Sequence, residues 1–228
     1  MTGRPAPNDP HVISPFVPWP PGERLVLASR SPRRAELLAV AGLPFEVIVA
    51  GDVEDEVAAR NGELRADPAR YARVLAEAKA QEVSHQKPGR LVLGADTVVV
   101  LDGELLGKPR DQDDALRLLR RLSGRVHTVI SAIALVARAP DARWVGHEET
   151  RVEFLPLAEP ALRRYVSSGE PMDKAGAYGI QGLGALMVRR LEGCYFNVMG
   201  LPLVRLGEGL RTILAGRGPA AVAEDAHE

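Results

Sequence analysis

The chain has 228 residues and a formal net charge of −1 at pH 7, and 46% of its residues are hydrophobic. This length suits one large domain or two small ones, and the near-neutral charge argues against a general nucleic-acid coat. No apolar run approaches the roughly 20 residues that span a bilayer. The single cysteine, Cys194, excludes an intrachain disulfide and a cysteine-rich metal site. We therefore predict a cytoplasmic protein with no nucleic-acid and no membrane partner.

The two ends of the chain differ in composition from its middle. Residues 1–23 are rich in proline and lack the continuous apolar centre of a secretory signal. Residues 216–228 are small, polar and acidic. We predict a mobile or extended leader over 1–23, one folded domain over 24–215 and a flexible tail over 216–228.

The first predicted element is a strand over 25–28, and it leads directly into a helix start. Ser31 is a candidate N-cap, and Pro32 occupies the position where a missing N–H costs least. Arg33 and Arg34 follow in the first turn, beside the positive end of the helix dipole. This combination suits a polyanion, most simply a phosphate chain. An ordinary helix start with solvated arginines remains the alternative.

A second strand is predicted over 45–49, followed by an acidic cluster that contains Glu54 and Glu56. Its carboxylates could hold a hard cation such as Mg²⁺, although an acidic surface loop fits equally well. Pro68 then opens a long helix. Lys79 lies on this helix, and periodicity alone favours a solvated lysine there.

Asp96 interrupts an otherwise apolar strand over 91–100. It is either a structural carboxylate satisfied by backbone N–H groups, or a general base or metal ligand at the edge of a cleft. The Asp-Gly pair at 102–103 predicts a hairpin. Because the hairpin returns the chain, Lys108 can lie near Asp96 and pair with it or with a phosphate. A lone surface lysine is the alternative.

The rest of the pattern alternates helices with strands and includes hairpins. We predict helices from 111 to 122 and from 159 to 166, and strands over 126–136, 144–154 and 185–191. The segment 197–214 contains an interruption at 200–202 and then a helix that runs to its end. This order indicates an α/β fold with a mixed sheet.

A second unusual stretch runs over 173–182 and contains several glycines, which allow close backbone approach. Gln181 lies in it and offers both a donor and an acceptor, as reading the edge of a base requires. A plain glycine-rich turn is the alternative.

Seven segments together resemble the Maf family of nucleotide pyrophosphatases and occur in the family's order. They are 27–34, the run ending in Lys79-Ala80, and residues 94–97, 107–109, 122–127, 173–182 and 197–202. The resemblance implies a fold like that of the ITP pyrophosphatases: an elongated twisted mixed sheet flanked by helices, with two lobes around a deep cleft. It also implies a homodimer.

The resemblance further implies hydrolysis of nucleoside triphosphates to a monophosphate and pyrophosphate with a divalent metal, Mg²⁺ or Mn²⁺. The Tyr-Gly-Ile-Gln-Gly sequence at 178–182 resembles the one found in the branch of the family that acts on dTTP and UTP. The resemblance therefore implies these substrates, including modified pyrimidine nucleotides, and a role in removing unwanted nucleotides from the cellular pool. The branch that acts on 7-methyl-GTP differs at this point.

The residues that match the family's motifs fall into three predicted groups. Asp96 matches the proton acceptor, and Arg33, Thr97 and Gln181 match positions that influence substrate choice. The predicted catalytic residues are Asp96, Lys79 and Lys108; the predicted substrate-binding residues are Ser29, Ser31, Arg33, Arg34, Thr97 and Gln181; and the predicted metal ligands are Glu54, Glu56 and Asp96.

Two other functions compete with this prediction. A purine-selective pyrophosphatase of the ITP/XTP type would use the same cleft. A non-catalytic nucleotide-binding regulator of septum formation would bind a nucleotide without releasing product.

Overall fold

The computed structural model describes residues 14–51, 53, 57 and 62–216. These residues form a seven-stranded mixed sheet flanked by helices, which confirms the predicted α/β class. The strands are β1 (Leu25–Ala28), β2 (Phe45–Val47), β3 (Val92–Leu101), β4 (Glu104–Leu106), β5 (Val126–Ala137), β6 (Ala142–Phe154) and β7 (Val188–Glu192). The division into two lobes stays a prediction.

The α-helices pack on both faces of this sheet. Those whose bounds the structure describes are α1 (Pro32–Val40), α2 (Pro68–Gln86), α3 (Gln112–Leu122), α4 (Glu159–Ser167), α5 (Tyr195–Met199) and α6 (Leu203–Gly216). Short 3₁₀ segments occupy Gly62–Ala66, Glu170–Asp173, Ala175–Ala177 and Gly182–Met187. In the part of the chain that the structure describes, no helix combines the length and apolar character needed to cross a membrane.

The central strand β3 has one edge that is only partly covered. The strand order is β2-β1-β3-β5-β6-β7, and β4 also pairs with β3. Since β5 takes one edge along Val92–Val100, β1 and β4 share the other. There β1 pairs with 92–94 and β4 pairs with 99–101. Within the described residues, positions 95–98 therefore have no strand partner on that edge, and the sheet opens beside Asp96 and Thr97.

Strand alternation sends the two central polar residues of β3 to opposite faces. On one face, α2 and even-numbered residues of β3 such as Val92 and Val98 form one apolar cluster. On the other, odd-numbered residues such as Leu93 and Val99 join two further clusters, built with α1, α5 and α6 and with α3 and α4. Asp96 therefore faces α2, and Thr97 faces the side of α1 and α5.

Gly94 explains how close α2 comes to the sheet. A Cβ at this position would lie 2.0 Å from the carbonyl oxygen of Ala76 and 2.8 Å from the nitrogen of Ala80. The helix backbone therefore rests directly on β3, which only a residue without a side chain permits. This contact fixes the distance between α2 and β3, and so lets the Lys79 side chain reach the strand.

The structure corrects three details of the sequence prediction. β3 runs without interruption through 94–97, because its polar residues pair within the sheet as in any strand. Ser31 does occupy the N-cap position of α1, but its side chain makes no capping hydrogen bond. Residues 185–187, predicted as strand, belong to the 3₁₀ segment Gly182–Met187, and β7 starts at Val188.

Part of the proline-rich leader packs against the domain. Val17 and Trp19 are both 7% exposed and belong to the apolar cluster around β1 and α1. The Trp19 indole donates to the carbonyl oxygen of Glu23 at 2.9 Å. Residues 1–13 and 217–228 lie outside the described residues, and the predicted domain boundaries stay a prediction.

Candidate active site

A cavity of about 700 Å³ opens at the uncovered edge of β3. Its size falls within the range of roughly 300–1,000 Å³ typical of small-molecule sites. The wall includes every described residue that the sequence analysis assigned to the site: Ser29, Ser31, Arg33, Arg34, Lys79, Asp96, Thr97, Lys108 and Gln181. Glu54 and Glu56, the other predicted metal ligands, lie outside the described residues.

The described wall is strongly basic although the whole chain is nearly neutral. Two carboxylates, Asp96 and Asp173, face seven basic side chains. The basic residues are Arg30, Arg33, Arg34, Arg65, Lys79, Lys108 and Lys174. Such a one-sided charge in a concave site raises the local concentration of anionic ligands.

Asp96 and Lys79 form the most buried ion pair of this wall. The Lys79 Nζ atom donates to Asp96 Oδ1 at 2.7 Å, and the two side chains are only 10% and 11% exposed. The pair joins α2 to β3 across the contact at Gly94. The expectation of a solvated Lys79 from helix periodicity is wrong, because α2 turns this side chain toward the sheet. The ammonium offsets the cost of holding the carboxylate out of bulk water.

Arg34 connects three segments that are distant in sequence. Its Nη1 donates to Ser29 Oγ at 3.1 Å, its Nη2 donates to Thr97 Oγ1 at 3.1 Å, and its Nε donates to the Gly200 carbonyl oxygen at 2.9 Å. The planar fork of a guanidinium suits this arrangement, which a single ammonium would not reproduce. Arg34 thus holds the wall of the cavity together.

The contacts of Ser29 fix what its hydroxyl can offer to a ligand. Ser29 Oγ accepts from Arg34 and also from the backbone N–H of Ser31 at 3.2 Å. A serine hydroxyl has two acceptor positions and one proton, so the proton remains to be donated. The backbone N–H of Ser31, a predicted substrate-binding residue, is engaged with Ser29.

A chain of hydroxyls fixes Thr97 in the same way. Ser131 Oγ donates to the Asn197 carbonyl oxygen at 2.7 Å, so its proton is used. Thr97 must then donate to Ser131, at 2.8 Å, while it accepts from Arg34. Asn197 anchors the chain by accepting from the Ser131 N–H and donating to the Val129 carbonyl oxygen. Thr97 therefore has one acceptor position left for a ligand.

Arg33 and Asp173 bridge the two sides of the cavity mouth. The Arg33 Nη1 atom lies 3.1 Å from Asp173 Oδ2, and Lys174 Nζ lies 2.6 Å from Asp173 Oδ1. Partial burial works to raise the pKa of Asp173, but the hydrogen bonds from Lys174 and Arg33 outweigh it and hold that pKa below its usual value. Asp173 thus stays ionised between two cations.

Tyr178 and His127 form a buried pair beside the cavity. Tyr178 lines the cavity, and its hydroxyl lies 2.8 Å from His127 Nε2. The two rings also meet Phe154 edge to face. His127 is 2% exposed, and burial lowers its pKa to about 4. The imidazole is therefore neutral at physiological pH and has a structural role.

This burial makes the stability of the protein depend on pH. In the unfolded chain His127 binds a proton below about pH 6.5, whereas in the folded chain it binds one only below about pH 4. The free energy of unfolding therefore falls as the pH is lowered between these two values. We expect His127 to contribute a loss of about 2 kcal/mol in the free energy of unfolding between about pH 7.5 and pH 5. Urea unfolding of the wild type and of His127→Gln measures this, and the variant should lack that part of the slope. Parallel pH profiles would contradict the assignment.

Some residues of the wall were missed by the sequence analysis. Arg30 and Lys174 belong to the two stretches that it singled out, so their position was available as a signal. Arg65 follows the acidic cluster on a 3₁₀ turn, and no motif marked it.

An α/β fold with a basic cavity at an open strand edge is typical of a protein that binds a polyanionic small molecule. The chain matches the family model described as Maf-like protein over residues 24–213, and it therefore belongs to the Maf family.

The chain is also similar to several bacterial proteins named dTTP/UTP pyrophosphatase. The protein from Symbiobacterium thermophilum is 51% identical over 183 residues, which cover 80% of this chain and 90% of the relative. The protein from Dictyoglomus thermophilum is 45% identical over 191 residues, covering 84% and 96%. The protein from Aquifex aeolicus is 44% identical over 195 residues, covering 85% and 98%.

Proposed function

We propose that the cavity binds a nucleoside triphosphate and hydrolyses the bond between its α and β phosphates, releasing a nucleoside monophosphate and pyrophosphate. The preferred substrates are dTTP and UTP, together with modified pyrimidine nucleotides. The observation that carries the proposal is the buried Asp96–Lys79 pair in an otherwise basic cavity. The names of relatives at 44–51% identity support the choice of substrate.

The basic wall supplies what a triphosphate needs. Lys108 and Arg33 both line the cavity and neutralise phosphate oxygens, with charge-assisted hydrogen bonds that are stronger than neutral ones. The Ser29 hydroxyl donates its remaining proton to a phosphate. Arg34 holds Ser29 and Thr97 in place, and its position in the wall is compatible with the predicted contact to the substrate.

Asp96 is the proton acceptor in this proposal. Its carboxylate takes a proton from the water that attacks the anhydride, and Lys79 keeps the carboxylate in one position. Positioning and charge neutralisation supply most of the acceleration in phosphoryl-transfer chemistry. The bond between the α phosphorus and the bridging oxygen breaks, and the leaving pyrophosphate remains against the basic wall.

The residues present also fit a divalent cation. Within the described residues, no group of three His, Cys, Asp or Glu side chains comes together. Mg²⁺ is commonly held by one or two carboxylates together with substrate phosphates, and Asp96 provides such a carboxylate. Asp96, Glu54 and Glu56 would hold Mg²⁺ or Mn²⁺, which would neutralise charge on the phosphate oxygens.

Thr97 and Gln181 would select the base. Because the remaining position on Thr97 accepts a hydrogen bond, it suits an N–H donor such as the ring N–H of uracil or thymine. Gln181 brings one acceptor and two donors to the same cavity. Cytosine lacks that ring N–H, and a site built for a hydrogen bond rejects an analogue without it. The homodimer and the cytoplasmic location remain part of the proposal.

A panel of triphosphates tests the substrate assignment. Purified protein with Mg²⁺ is given dTTP, UTP, dCTP, ATP, GTP, ITP and XTP, and pyrophosphate is measured. We expect dTTP and UTP to exceed the others by at least about tenfold in kcat/KM. Preference for ITP or XTP would instead support the purine-selective alternative. Nucleotide-induced thermal stabilisation without any product would support the non-catalytic regulator.

A further inference from the structure

The loop that carries Gln181 is held at both ends by two residues behind the cavity. At its start, the Gly179 N–H donates to the Tyr165 hydroxyl at 3.2 Å. At its end, the N–H of Leu183 donates to Glu170 Oε2 at 3.0 Å and that of Gly184 to Glu170 Oε1 at 3.1 Å. We call residues 179–184 the Gln181 loop.

The two anchors also bind each other. The Tyr165 hydroxyl donates to Glu170 Oε1 at 3.0 Å. The Glu170 carboxylate therefore accepts three hydrogen bonds. The Tyr165 hydroxyl connects this carboxylate to the Gly179 N–H at the start of the loop. Burial raises the pKa of the Tyr165 phenol, so it stays a donor at physiological pH. Hydrogen bonds to an ionised carboxylate are about twice as strong as neutral ones.

The backbone of the loop is closed tightly around these anchors. A Cβ at Gly184 would lie 2.2 Å from the Gly179 carbonyl oxygen and 2.9 Å from the Tyr165 hydroxyl. Gly182 has a φ of +68°, and a Cβ there would lie 2.7 Å from Glu170 Oε2. The ends of the loop touch, and side chains larger than hydrogen would force them apart.

The loop faces the cavity, whereas its anchors do not. The described cavity wall includes Gly179, Ile180 and Gln181 but neither Tyr165 nor Glu170. Tyr165 lies instead in the apolar cluster of α3 and α4. The side chains of the two anchors are thus placed to affect a ligand through the shape of the loop, whereas the Glu170 carbonyl oxygen also accepts a hydrogen bond from Lys174.

We propose that Tyr165 and Glu170 are positioning residues for base selection: they fix the Gln181 loop in the one shape that presents the Gln181 amide to the base. This inference rests on the proposed function for its substrate. A base-reading amide selects only while its orientation is fixed, because a mobile one can present either its donor or its acceptor. Loss of an anchor should therefore weaken discrimination between bases more than turnover.

Glu170→Gln is the sharpest test because it preserves size and shape. The new amide keeps one oxygen but brings an NH₂ group against an N–H donor, so at least one end of the loop is released. Competition between dTTP and dCTP in one vessel gives the ratio of their kcat/KM values independently of the fraction of folded enzyme. We expect this ratio to fall about tenfold and the KM for dTTP to rise, while kcat changes less than about threefold. Tyr165→Phe should move the ratio in the same direction, by less.

Glu159→Gln is the matched control, since Glu159 is an exposed glutamate paired with Arg120 and Arg163 outside the cavity wall. It should leave the ratio unchanged. An unchanged ratio in Glu170→Gln and Tyr165→Phe, or a loss of activity that comes only with lower thermal stability, would overturn the inference.

A second readout separates this inference from the proposed function. Hydrogen exchange of the amides of Gly179, Leu183 and Gly184 in the ligand-free protein should quicken in Glu170→Gln and stay unchanged in Glu159→Gln. If the wild type releases no pyrophosphate from any triphosphate, the proposed function fails, and equilibrium binding of dTTP against dCTP replaces the kinetic ratio. Unchanged exchange in Glu170→Gln would overturn the anchoring itself.

Discussion

Asp96→Asn is expected to lower kcat for pyrophosphate release from dTTP by about 1,000-fold. Asparagine has almost the same shape and can still accept a hydrogen bond from Lys79, but it cannot take a proton from water. Affinity for dTTP, measured without a divalent cation, should be kept or become tighter, because a negative charge leaves a cavity that receives phosphates. Steady-state kinetics and equilibrium binding measure the two effects separately.

Asp173→Asn provides a matched control, because Asp173 is the other carboxylate in the described wall of the cavity. It lies between Arg33 and Lys174 at the mouth, and the proposed mechanism gives it no part in the chemistry. We expect kcat to change less than about tenfold and the effect to fall on KM. Equal losses of kcat in the two variants, or full turnover by Asp96→Asn, would contradict the assignment of Asp96 as the base.

Arg34→Lys is expected to damage both stability and activity, although the charge is kept. A lysine ammonium cannot reach Ser29, Thr97 and Gly200 together, so buried acceptors lose a charged donor. At about 1.5–3 kcal/mol for each such bond, the loss of two of the three should lower the free energy of unfolding by about 3–6 kcal/mol. Because the displaced residues line the cavity, kcat/KM should fall about 100-fold. Urea unfolding and kinetics measure the two effects.

Arg151→Lys is the corresponding control. Arg151 forms an exposed pair with Glu192 between β6 and β7, and such pairs contribute at most about 1 kcal/mol. Its stability and activity should remain near those of the wild type. If Arg34→Lys behaved like Arg151→Lys, the role of Arg34 in joining the three segments would be wrong.

Most of the secondary structure could be predicted because turns and helix starts depend on residues that are neighbours in the sequence. The Asp-Gly turn at 102–103, with both residues at positive φ, and the proline at the start of α1 are read directly from the sequence. The predicted interruption of β3 was wrong because it relied on local propensity alone. Glycine and aspartate are poor strand formers, but Gly94 serves a helix contact and Asp96 an ion pair, and neither is visible locally.

The site itself depends on contacts between distant residues. Periodicity placed Lys79 in solvent, and only the resemblance to the family brought it to the cleft. Arg34 was assigned to the phosphates from its place in the first turn of α1. Its contacts with Thr97 and Gly200, 63 and 166 positions away, could not be predicted from the sequence. Nothing in the sequence marked Glu170 as an anchor, since its three donors meet it only after α4 has packed.

The central claim is that one cavity at the open edge of β3 binds the triphosphate and the base together. A crystal structure with a dTTP analogue that carries a methylene bridge between its α and β phosphates tests it most directly. The phosphates should lie against Arg33, Lys108 and Ser29, with the bridge beside Asp96 and the base against Gln181 and Thr97. An analogue bound away from Asp96, or a base turned away from the Gln181 loop, would contradict the account.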